Sequence, residues 1–211
     1  MSRLKRKTRE TTIDLEVRRG AGASEIATGD VFLDHMVNTL ARYAGLEIRL
    51  RAQGDLRHHL VEDVAISLGL ALRDEVPETC ARFGWAAVPM DDALVRATVD
   101  VGGRAWYEGR LPSALYEHFL QSLAMNLGAN LHVEAARGRD KHHMVEAAVK
   151  ATGLALRQAL AKGEAVFSTK GAVAVERGAA THGAAKRGPA KRGQERRAAA
   201  ARRAPRTRKR R

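Results

Sequence analysis

Residues 58–73 read HHLVEDVAISLGLALR, and residues 142–157 read HHMVEAAVKATGLALR. The stretches lie 84 positions apart and agree at nine of sixteen positions, including both histidines, the Val-Glu that follows and the closing Gly-Leu-Ala-Leu-Arg. The likeness continues upstream. LDHMVNTLARYAGLEIRLRAQGDLRHHLVE, ending at Glu62, aligns with YEHFLQSLAMNLGANLHVEAARGRDKHHMVE, ending at Glu146, with one residue inserted in the second copy. A period this long marks a duplicated domain half rather than a solenoid repeat.

Each copy spells the same elements. Met36, Leu40 and Tyr43 in the first copy, and Leu120, Leu123 and Leu127 in the second, recur at helical spacing. Gly45 and Gly128 follow as C-caps. An alternating strand comes next, LEIRLRA or LHVEA, then a short loop and a second amphipathic helix starting near the His-His pair. Further strands precede each unit: TTIDLEV in the first half, ALVRATVDV and RAWYEGRL in the second. These patterns predict an α+β fold of two similar halves, each a small sheet carrying two helices, with the helices packed between the sheets. The expected division is 1–88, 89–172 and a tail from 173 to 211.

The net charge of +13 sits in that tail. Residues 177–211 hold 14 Lys/Arg against the single acid Glu195, which leaves 23 bases and 23 acids in residues 1–176. The tail contains no aromatic residue and no Leu, Ile, Val or Met beyond Arg177, so it cannot offset its ordering entropy and is expected to be disordered. A polycation of this kind binds phosphate polymers nonspecifically, or is simply solvated. One cysteine, Cys80, fits a reducing compartment and is read as a packed thiol. No apolar run approaches membrane-span length, and the N-terminus lacks the apolar core of a secretory signal, so the expected location is the cytoplasm.

The histidines carry the chemistry. On a helix, His58 and Glu62 share a face, as do His142 and Glu146, while His59 and His143 are turned by about 100°. An isolated His/Glu pair arises by accident; the same H-H-x-x-E written twice does not. Imidazole with carboxylate suits Mn, Fe, Co or Zn.

The pieces RETTI, FLDHM, HHLVED, RFG, VPMDDAL, GGR, LHV, HHMVEA, LALRQA and STKG occur in that order over about residues 8–172. Together they resemble the imidazoleglycerol-phosphate dehydratase family of histidine biosynthesis. The resemblance implies a fold of the ribosomal protein S5 domain 2-like type and dehydration of imidazole-glycerol phosphate to imidazole-acetol phosphate. It also implies two Mn²⁺ per active site and a shell of 24 subunits with metal sites completed across interfaces. Carried over, His35, His59, His142 and Glu146 hold one metal, and His58, Glu62, His132 and His143 the other. Arg82, Arg104, Ser168 and Lys170 match the family's phosphate contacts, and Glu10, Glu62 and Glu146 are candidates for proton transfer. His118 stands where the family usually has an acid and is not included. Arg57 replaces an acid before His58, and Lys141 a small or acidic residue before His142; a cation there opposes metal binding unless it points away.

Two other readings are distinct in kind. One is a catalytically idle, metal-assembled oligomer whose basic tails bind nucleic acid. The other is a dinuclear hydrolase on the same scaffold, against which stands the absence of a carboxylate-rich bridging motif.

Overall fold

A computed structural model describes residues 1–163. The first half runs β1 (Ser2–Lys7), β2 (Thr11–Arg19), β3 (Glu25–Ala27), α1 (Val31–Ala44), β4 (Leu46–Gly54) and α2 (Arg57–Asp74). The second repeats the order: β5 (Phe83–Met90), β6 (Ala93–Val101), β7 (Trp106–Gly109), α3 (Ala114–Leu127), β8 (Ala129–Arg137) and α4 (Lys141–Ala159). The sheets have equivalent strand orders, β1-β2-β4-β3 and β5-β6-β8-β7. In each, the short third strand pairs parallel and the other pairings are antiparallel.

Alternation fixes which sheet face is covered. In β2, Ile13, Leu15 and Val17 are buried, as are Leu131 and Val133 of β8. The helices lie between the sheets, with α2 packed on α3 and α1 on α4, so the apolar faces of both halves merge into one core. The predicted α+β duplication is what the chain builds.

Helix ends set where the functional side chains stand. Asp30 caps α1, its side chain accepting from the Leu33 N–H at 2.8 Å. Gly45 and Gly128 close α1 and α3 in left-handed conformation, with φ of 68° and 77°. Asp63, next to Glu62, is buried on α2, where it accepts from Arg6 of β1 at 2.7 Å and from the Thr11 hydroxyl of β2. That anchor fixes the second turn of α2 to its sheet.

The crossover between halves falls in residues 75–82. The expected division at 88/89 lies inside β5, which pairs with β6 from Phe83 to Met90. Proline and paired aspartates beyond Val88 resemble a linker, but they form the tight β5–β6 hairpin. The third strand of the second half is also shorter than RAWYEGRL, beginning at Trp106. The expected tail, Ser168 and Lys170 lie outside the described residues. Among those described, no helix is long and apolar enough to cross a membrane.

Candidate metal centre

The first group forms where α1 meets the start of α4. Asp140 caps α4 through the His142 N–H at 2.7 Å, and His142 and Glu146, one turn apart, meet at 3.0 Å. His35 reaches the same carboxylate oxygen from α1 at 3.2 Å. The His35 and His142 rings lie nearly parallel, 16° apart. The Glu146 side chain is only 9% exposed and also pairs with the Lys150 ammonium at 2.9 Å. Burial pushes the Glu146 carboxyl up, but hydrogen bonds from Lys150 and His35 outweigh it and hold it below its ordinary value.

The second group repeats this arrangement where α2 meets α3. His58 and Glu62 stand 3.7 Å apart, and His118 approaches Glu62 at 3.2 Å. The His58 and His118 rings are parallel within 12°. Here the carboxylate is 36% exposed, and the position matching Lys150 is Ile66. In each group one ligand atom per residue lies within 4.8 Å of the others. Two imidazoles and one carboxylate at such spacing form a donor set that divalent transition metals accept.

His118 joins this group although it was not among the ligands inferred from the sequence. The signal was present, because LDHM aligned with YEHF puts His118 opposite His35. His132 belongs to neither group. It alternates with Leu131 and Val133 on β8 and is exposed on the sheet face away from the helices.

His59 and His143 also stand outside their own chain's groups. His59 Nδ1 meets Asp55 at 2.8 Å, with Glu10 of the β1–β2 turn 3.8 Å away. His143 Nδ1 meets Asp92 of the β5–β6 turn at 2.7 Å, and its Nε2 lies 3.3 Å from Asp91. The hydrogen bond from His143, reinforced by the Arg139 N–H, draws the Asp92 carboxyl down to about 2. Both imidazoles are raised above their ordinary range, chiefly by these aspartates. Arg57 is turned aside: its guanidinium pairs with Asp30 at the α1 N-terminus. Lys141 is exposed.

Arg82 has a left-handed backbone, φ 69°, held from several sides. Its N–H donates to the Ala159 carbonyl at 2.9 Å, its carbonyl accepts from the Val101 N–H at 2.9 Å, and its guanidinium grips both oxygens of Asp100 at 2.6 and 3.0 Å. Arg104 is exposed in the turn after β6. Arg82 therefore sits at the C-terminal end of α4, whereas His142 and Glu146 sit at its start. Nineteen residues separate these ends, about 28 Å of helix.

The family model for imidazoleglycerol-phosphate dehydratase matches residues 28–156. An imidazoleglycerol-phosphate dehydratase of Pyrobaculum arsenaticum is 50% identical over 183 residues, covering 79% of this chain and 97% of that protein. One from Chlorobaculum tepidum is 42% identical over 185 residues, covering 80% and 95%. The crystal structure of the Pyrococcus furiosus protein in complex with (S)-C348 superposes with a TM-score of 0.74 at 42% identity, covering 81% of this chain and all of that one. That of the Staphylococcus aureus dehydratase superposes at 0.71 with 29% identity, covering 77% and 99%. Shared sequence and shared fold over nearly the full length of these relatives make the chain a lyase that belongs to the imidazoleglycerol-phosphate dehydratase family.

Proposed function

We propose that this protein converts imidazole-glycerol phosphate to imidazole-acetol phosphate and water in cytoplasmic histidine biosynthesis, using two Mn²⁺ per active site. The observation that carries the metal requirement is the pair of matching His₂Glu groups, one at each helix–helix junction. His35, His142 and Glu146 take His59 as a fourth ligand; His58, Glu62 and His118 take His143. The fourth ligand comes from another copy of the chain, in keeping with a shell of 24 subunits. Helix geometry supports this, because His59 and His143 point about 100° away from their neighbours' groups. The separation of Arg82 from His142 along α4 supports it as well, since a substrate of a few carbon atoms cannot span both in one chain.

Bound in these groups, the metals would supply Lewis acidity toward the substrate imidazole and a template for its orientation. Arg82 and Arg104, with Ser168 and Lys170, hold the phosphate; the planar guanidinium suits its oxygens, and Asp100 keeps the Arg82 plane fixed. Dehydration removes a proton from one carbon and hydroxide from the next, so an acid and a base are required. Of the three candidate carboxylates, Glu62 and Glu146 sit within the His groups, which leaves Glu10, at 53% exposure on its turn, for proton transfer.

The basic residues beyond Arg177 favour a second reading, an idle metal-bound oligomer that gathers nucleic acid. Subunit mixing tests the shared site. His59→Ala and His142→Ala are each expected to be inactive alone. Co-expressed, they restore up to about a quarter of wild-type turnover, because some interfaces in a mixed symmetric oligomer carry both intact residues. No recovery would contradict a site shared between copies.

A further inference from the structure

We infer that Asp55 and Asp92 are positioning residues, each holding the second histidine of its pair so that Nε2 faces outward as a ligand for metal held by another copy. The inference rests on the dinuclear reading above and assigns a role to two acids outside both His groups.

A carboxylate only accepts hydrogen bonds. The contacts of 2.8 Å from Asp55 to His59 Nδ1 and 2.7 Å from Asp92 to His143 Nδ1 therefore place the proton on Nδ1. In the neutral ring, Nε2 then carries the lone pair, the tautomer a metal needs. The Asp91 carboxylate, 3.3 Å from His143 Nε2, approaches it without making the hydrogen bond that Asp92 makes to Nδ1. The acids are themselves anchored. Asp92 also accepts from the N–H groups of Arg139 and Asp140, at 2.5 and 3.3 Å. The Asp55 side chain accepts from the Leu56 N–H at 2.7 Å, and its own N–H donates to the Glu10 carbonyl at 3.0 Å. Each imidazole is thus oriented by a part that does not swing with it.

The two acids are not copies of each other. Asp92 stands on the hairpin turn of its sheet, where the first half has Glu10, and Glu10 at 3.8 Å is too far from His59 for a hydrogen bond. Asp55 stands on the approach to α2 instead, one turn before His59. Two different parts of the duplicated chain converge on the same atom of the equivalent histidine. The cation that precedes the first pair, Arg57, is engaged by Asp30 and does not compete for Asp55.

The test uses the full chain with Asp55→Ala, Asp55→Asn, Asp92→Ala and Asp92→Asn, titrated with Mn²⁺ and followed by electron paramagnetic resonance, with circular dichroism to report folding. Each alanine variant is expected to weaken one of the two Mn²⁺ by about 10–100-fold, the effect seen when a metal ligand loses its outer partner. The other Mn²⁺ stays at wild-type affinity, and the asparagine variants, which retain an acceptor, lose less. Two Mn²⁺ bound at wild-type affinity in both alanine variants would overturn the inference while leaving the dinuclear reading intact. So would equal weakening of both metals with loss of helix signal, the mark of a purely structural role. A wild-type protein that binds no Mn²⁺ would overturn the dinuclear reading and this inference together.

Discussion

Glu62 receives a histidine from each of two helices, and so does Glu146; on the proposed reading that equivalence names the ligands residue by residue. His118→Ala is expected to remove one of the two Mn²⁺, measured as metal content per chain, and to lower turnover at least about 100-fold, consistent with losing a charge-stabilising site. His132→Ala, by contrast, is expected to keep both metals and turnover within about twofold of wild type, since its ring lies on the outer sheet face. Loss of metal on changing His132 would contradict this assignment. The H-H-x-x-E spacing was legible from sequence because i and i+4 share a helix face. His35 was legible through the family resemblance; His118 was passed over although the repeat aligns it with His35, because only the α2–α3 contact brings it to Glu62. Arg57, read as a cation beside the metals, pairs instead with the cap of another helix, a partner that spacing alone does not name.

The closing Gly-Leu-Ala-Leu-Arg of both copies has its meaning at the scale of helices. A Cβ on Gly69 would lie 2.6 Å from the Leu123 carbonyl oxygen and 2.8 Å from the Asn126 Cβ. On Gly153 it would lie 2.8 Å from the Tyr43 Cβ and 3.2 Å from the Leu40 carbonyl oxygen. These glycines let α2 approach α3, and α4 approach α1, the two junctions where the His groups form. Gly69→Ala is expected to cost about 1–3 kcal/mol in chemical denaturation despite alanine's better helix propensity, because backbone must move. A neutral or stabilising effect would mean that the helices part easily and that the glycine is not required. The inner helices and strands could be read from the sequence, since period and caps agree. Of the edge strands, only β7 could. β1, SRLKRK, buries little besides Ser2, and β5 shows small residues inward and Trp85 outward, with Gly84 facing the Ala155 carbonyl where no side chain fits.

Over the whole molecule, the duplication builds two similar His₂Glu groups, and α4 separates one of them from Arg82. On the proposed reading, metal ligands and phosphate contacts at opposite ends of a helix require an assembly in which one copy completes the site of another. The fold was legible because the chain states it twice, once in each half. The assembly was implied only by family resemblance, since no spacing within one sequence tells which copy supplies a ligand. Metal-dependent dehydration is tested by the turnover of imidazole-glycerol phosphate by the purified protein, first with Mn²⁺ and then after chelation. Imidazole-acetol phosphate formed with Mn²⁺, abolished by chelator and restored when Mn²⁺ is added back, is the predicted result. Two Mn²⁺ bound with no product, or product formed undiminished in chelator, would contradict it.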